Sequence, residues 1–175
     1  MPRSESVLLL GFYHPRYVEP LQTWAKRLRA VGCSVTEGYP DTWYPEDVLE
    51  ALATARDLVV YFGHGEPGAW TGLGRIEAAD LAAIDGDPHR VVLHSCCHAF
   101  DGEERSIAGA FLSAGLAEWV VGYDRRVHTD TNRTTLDRLL EKYRLAAATG
   151  GDPAGALRES ARDHAPLAVE SRSHL

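Results

Sequence analysis

The sequence predicts an α/β protein, a three-layer sandwich with helices on both faces of a mostly parallel central sheet. Continuous apolar runs of buried-strand length recur along it, among them Val7-Leu8-Leu9-Leu10, Leu58-Val59-Val60-Tyr61-Phe62 and Val91-Val92-Leu93. Stretches with apolar residues at helical spacing alternate with these runs. Strands joined through helices make right-handed crossovers and therefore run parallel. With 175 residues the chain reads as one domain over 1–170, followed by a loose tail at 171–175.

Taken in order, Ser6 to Phe12 is a first buried strand, ending in the loop His14-Pro15-Arg16. Glu19 to Val31 places Leu21, Trp24, Ala25, Leu28 and Val31 on one helix face, and Gly32 terminates it. Cys33 to Thr36 is a short second strand, and Glu46 to Ala55 a helix with Val48, Leu49 and Leu52 inward. Asp57 to Phe62 is the third strand. A Gly- and Pro-rich loop follows through Gly74, then a short helix at Ala78 to Ile84. Arg90 to Ser95 is the fourth strand, and Phe100 to Glu104 an acidic loop in which Glu103 and Glu104 are solvated. Ser106 to Ala114 is a helix and Glu118 to Tyr123 a fifth strand. Helices at Thr134 to Ala148 and Pro153 to His164 close the domain.

Composition sets limits on function. Hydrophobic residues make up 45% and charged residues 25%, as in a soluble globular protein. A formal net charge of −7 argues against a nucleic-acid partner. No apolar run reaches the roughly 20 residues of a membrane span, and no secretory leader is visible. Three cysteines, two of them adjacent, make no disulfide framework, so the expectation is a reducing cytoplasm.

In open parallel sheets the ligand sits beyond the carboxyl ends of the strands, where strand order switches. A flavodoxin-like 2-1-3-4 order sets the first, third and fourth strands side by side, with the loops after Phe12, Phe62 and Ser95 on one rim. The third strand runs out into Gly63-His64-Gly65, the fourth into Cys96-Cys97. Neighbouring strands lie about 4.8 Å apart, so an imidazole and a thiol leaving these ends can meet. Histidine lowers the thiol pKa and protonates the leaving group. Gly63 and Gly65 let the backbone approach a substrate, and the amides of Gly65 and of the cysteine form an oxyanion hole. The same residues also read as a polar loop histidine and two buried thiols. Metal ligation by His94, Cys96, Cys97 and His98 is disfavoured, because adjacent cysteines point apart and no second Cys pair exists. His94 and Cys33 read as core residues.

The stretches Phe62-Gly63-His64-Gly65-Glu66 and Leu93-His94-Ser95-Cys96-Cys97-His98-Ala99 resemble the histidine and cysteine blocks of the caspase-like cysteine peptidase clan. The bacterial CHAT domains are the nearest likeness. Ile76 to Leu81, Ile107 to Ala117, Val120 to Gly122, Leu139 to Tyr143 and Ala156-Leu157-Arg158 follow in the order those domains show, over residues 55–162. Laid on the Leu-x-x-Cys block, Leu93 leads to Cys96. The resemblance therefore implies Cys96 as nucleophile, His64 as general acid–base and an oxyanion hole from the amides of Gly65 and Cys96.

That resemblance implies a cysteine endopeptidase acting on an extended protein or peptide substrate, without cofactor or metal. A regulatory partner or activator fits a bare domain of this kind. The alternative is a catalytically silent or regulatory domain that binds a partner peptide in the same groove. An unrelated Cys hydrolase would call for a G-x-C-x-G elbow, which His94 to His98 lacks. For substrate binding the rim offers Asp124 and Asp130, which would read a basic side chain, Arg16, which would read an acidic one, and His98. Each aspartate also reads as a turn or helix-cap residue.

Overall fold

Val7 stands between Val35 on one side and Leu58 on the other, one strand in from the edge of a six-stranded sheet. The computed structural model describes residues 4–101, 106–164 and 166–172. The strands are β1 (Ser6–Gly11), β2 (Ser34–Gly38), β3 (Leu58–Phe62), β7 (His89–Ser95), β8 (Ala117–Tyr123) and β9 (Leu167–Ser171). Their order is β2-β1-β3-β7-β8-β9, parallel throughout except for the antiparallel β9. The expected 2-1-3-4 order is therefore present, and the order switch lies between β1 and β3.

The strands are apolar on both faces because helices cover both. Val7, Leu9, Leu58, Val60, Phe62, Val91 and Leu93 pack against α1 (Pro15–Arg29), α5 (Thr129–Thr149) and α6 (Pro153–Arg162). Leu8, Leu10, Val59, Tyr61 and Val92 pack against α2 (Pro45–Leu52), α3 (Ala78–Leu81) and α4 (Ile107–Ser113). The period of two along each strand assigns every side chain to one layer or the other. Among the described residues no helix is long and apolar enough to cross a membrane.

Four features depart from the sequence reading. Helix α1 starts at Pro15 rather than Glu19: proline suits the first helical position, and His14 Nδ1 accepts the Arg16 N–H at 3.2 Å. Helix α5 starts at Thr129 rather than Thr134, because its first turn is polar and carries no apolar period. The Gly- and Pro-rich segment folds into a small antiparallel sheet of β4 (Gly65–Glu66), β5 (Ala69–Trp70) and β6 (Ile76–Glu77). At the other end, Ser171 is the buried last residue of β9, opposite Trp119, instead of the start of a loose tail. Residues 173–175, and Glu103 and Glu104 of the acidic loop, lie outside the described residues.

Candidate active site

The register of β3 against β7 builds the site. Phe62 stands opposite Ser95, and the Gly63 N–H continues the ladder to the Ser95 carbonyl at 3.2 Å. Leu58, Val60 and Phe62 face the layer of α1 and α5, as do Val91 and Leu93. Counting on by twos, His64 and Cys97 leave the sheet toward that same layer, while Cys96 follows Val92 into the opposite one.

Burial follows this parity. Cys96 is fully buried, packed with the α4 layer, and burial pushes its thiol far above the usual thiol range. Cys97 is half-buried and lines a pocket of about 570 Å³ together with Tyr17, Gly63, His64, Arg126, Val127, His128, Thr129 and Asn132. The structure thus brings Cys97, and not Cys96, to the mouth that His64 occupies. The expectation that Cys96 meets His64 rested on aligning Leu93 with a motif. Side-chain alternation sends that sulfur to the wrong side of the sheet.

His64 is exposed at its ring but held at its backbone. Its carbonyl accepts from Tyr61 Oη at 2.7 Å and from the N–H and hydroxyl of Thr71, each at 3.3 Å. Tyr61 is in turn stacked on Trp70 at 4.6 Å, and Trp70 Nε1–H donates to the buried His94 at 3.1 Å. His94 is therefore a core residue, as expected, and burial lowers its pKa to about 3. Because Thr71 bonds to His64, Gly65 opposite Trp70 takes the non-hydrogen-bonded place in the hairpin, with its N–H turned away from β5. A Cβ at Gly65 would collide with the Cys97 carbonyl oxygen and lie 2.9 Å from Cys96 Sγ. Only glycine allows this approach.

Asn132, which the sequence reading missed, ties the third side of the pocket. Its Nδ2 donates to the Ser95 carbonyl at 2.8 Å, and its Oδ1 accepts from Ser95 Oγ at 2.6 Å. The turn between β8 and α5 then crosses Cys97. The Val127 N–H points at Cys97 Sγ at 3.3 Å, and the Val127 carbonyl accepts from the thiol at 3.5 Å. Thr129 opens the 21-residue α5, whose N-terminal end carries partial positive charge toward the pocket.

The expected substrate-binding residues are distributed differently. Arg16 is exposed and lines a separate groove with Glu19, Trp24, Arg27 and Arg133, because on α1 it is Tyr17 that turns toward His64. Asp124 is exposed and hydrogen-bonded to the neighbouring Arg125 at 2.6 Å, which holds its carboxyl below the usual range. Asp130 is exposed in the first turn of α5 and does not line the pocket. His98 follows Cys97 with φ at +58°, in the left-handed region that few non-glycine residues adopt, and its Nδ1 lies 3.1 Å from Asp101. It is not among the residues that line the pocket. Among the described residues no group of three His, Cys, Asp or Glu side chains is arranged to hold a metal ion.

This fold is that of the caspase-like cysteine peptidases. The Arg-specific cysteine proteinase gingipain R matches 93% of the chain with a TM-score of 0.70 at 13% identity. The separase of Saccharomyces cerevisiae, in its complex with securin, matches 96% with a TM-score of 0.63 at 15% identity. Iotapain, a secreted C11 cysteine protease from Bacteroides thetaiotaomicron, matches 99% with a TM-score of 0.59 at 11% identity. The chain spans 45%, 12% and 68% of those three proteins respectively. No protein-family pattern and no curated protein sequence matches it. The likeness is thus one of fold.

Proposed function

We propose that the chain is a cysteine endopeptidase in which Cys97 is the nucleophile and His64 the general acid–base. The observation that carries this reading is the shared pocket of Cys97 and His64, at the strand ends of a peptidase fold, with Cys96 sealed on the opposite face. In the reaction the Cys97 thiol gives its proton to His64, and the thiolate attacks the scissile carbonyl carbon. The carbonyl oxygen takes the charge between the N–H groups of Gly65 and Cys97. His64 returns the proton to the amine as the C–N bond breaks. A water then gives a proton to His64, attacks the acyl carbon and displaces the sulfur, which recovers that proton.

Within the caspase-like fold, the ordered sequence blocks over 55–162 support a CHAT-like member. For specificity, Arg126 is the guanidinium group of the pocket, and no carboxylate lines it among the described residues. On a chain of net charge −7 this local cation supports an acidic residue on the acyl side of the cleaved bond.

A resting state that needs an activator is also supported. Cys97 Sγ is engaged by the N–H and carbonyl of Val127, so the nucleophile leaves these bonds before it attacks. A peptide-library digest tests the reading. Cleavage after acidic residues by the wild type, reduced about a thousand-fold or more in Cys97→Ala, is the expected result. Equal cleavage by Cys97→Ala excludes it.

A further inference from the structure

Tyr17 is almost fully buried, at 3% exposure, yet its hydroxyl reaches the pocket. Oη lies 3.3 Å from His64 Nε2 and 3.4 Å from Thr129 Oγ1. The ring cannot swing freely: it packs edge-on against Phe12 at 5.4 Å and Phe62 at 5.0 Å. Phe12 also meets the His64 ring edge-on at 4.6 Å and 89°. Among the described residues, Tyr17 is the one side-chain hydrogen-bond partner of the His64 imidazole, and no carboxylate takes that place.

The chemistry of His64 makes a demand that Tyr17 meets. Once the imidazole has taken the thiol proton, both ring nitrogens carry hydrogens and each needs an acceptor. A phenol can accept from one group and donate to another. We propose that Tyr17 is the positioning residue of His64. Its oxygen accepts the Nε2–H, its own proton is donated to Thr129 Oγ1, and Nδ1 is left to serve Cys97.

This rests on the reading of Cys97 and His64 as the dyad. The thiol proton moves to Nδ1 and later from Nδ1 to the leaving amine, while Nε2–H and the Tyr17 hydroxyl keep theirs throughout. A neutral phenol orients the ring without supplying the full negative charge of an aspartate or glutamate. The thiolate–imidazolium pair then depends on α5 and Arg126 for its stabilisation.

Tyr17→Phe keeps the packed ring and removes only the hydroxyl. Nitrogen-15 NMR of the His64 ring reads the tautomer without any need for turnover. The wild type is expected in the Nε2–H form, and Tyr17→Phe as a mixture of the two tautomers. The pH profile of Cys97 alkylation by iodoacetamide is expected to move upward by roughly half to one unit in Tyr17→Phe, as the imidazolium loses an acceptor. The kcat for an acidic peptide should fall about tenfold or more, with KM changed about twofold at most. Thr129→Val, which removes the acceptor for the phenol proton, should shift both readouts in the same direction and by less.

A wild-type Nδ1–H tautomer, or an unchanged tautomer and alkylation profile in Tyr17→Phe, overturns the proposal. Alkylation of Cys97 that ignores His64→Ala overturns the dyad itself, so the two failures are separable.

Discussion

Phe62 stands opposite Ser95 in the parallel ladder of β3 and β7, and this one register decides which thiol shares the pocket of His64. Two residues beyond each partner lie His64 and Cys97, which emerge on one face. Cys96 is a single residue out of phase and is buried on the other. In a sheet, a shift of one residue exchanges core for rim.

Gly65 carries the tightest backbone approach in the site. Gly65→Ala would drive a methyl group into the Cys97 carbonyl and against Cys96 Sγ, which lies 2.9 Å away. Overpacking of this kind costs about 1–3 kcal/mol. The urea midpoint should fall by the corresponding amount, and activity about a hundred-fold or more, because one oxyanion donor is displaced. A fully active, equally stable variant would disprove the close approach.

Asn132 joins α5 to the end of β7 through two hydrogen bonds to Ser95, of 2.8 and 2.6 Å. Asn132→Ala leaves the buried Ser95 hydroxyl without its acceptor, at a cost of about 1–3 kcal/mol. Hydrogen exchange should accelerate first at the carboxyl end of β7 and at Val127, whose N–H rests on the Cys97 sulfur. Uniform acceleration over the whole sheet would mean that the pair acts on global stability alone.

Arg126 sets the charge of the pocket. Arg126→Glu should exchange the preference for an acidic side chain for a basic one, changing the ratio of kcat/KM values by about a hundred-fold. Cleavage profiles of the two proteins on one peptide library check this. An unaltered profile would remove Arg126 from substrate recognition.

Acid should unfold the protein through two buried histidines. Burial lowers His94 from 6.5 to about 3, and burial followed by the nearby Arg56 guanidinium lowers His89 from 6.5 to about 4. Both bind a proton in the unfolded chain before they do so in the folded one. Stability is therefore fully present above 6.5 and is lost as pH falls toward 4. Each group contributes about 1.4 kcal/mol per pH unit in that window. In His94→Phe the slope of the urea midpoint against pH should fall by about half, although the Trp70 N–H loses its acceptor. An unchanged slope would assign the acid sensitivity elsewhere.

Much of the architecture was legible in the sequence because apolar runs on both sheet faces need helices to cover them. The parallel order and the rim follow from that. Which thiol lines the His64 pocket was not, since a motif alignment is insensitive to a one-residue slip. Parity separates Cys96 from Cys97 only once Phe62 is known to face Ser95. Asn132 and Tyr17 were missed for a related reason. Each lies in a helical first turn that precedes the apolar period, so neither helix start was read. Strand β9 is short and half-buried on an edge, where alternation is weak.

In the proposed dyad Cys97, and not its neighbour, reacts with His64's help. A peptidyl chloromethyl ketone ending in aspartate, followed by fragment mass mapping of the peptide that holds both thiols, tests it most directly. A single adduct on Cys97, lost in His64→Ala with Cys96 untouched, is the expected result. An adduct on Cys96, with Cys97 free, would rule out the pairing of Cys97 with His64.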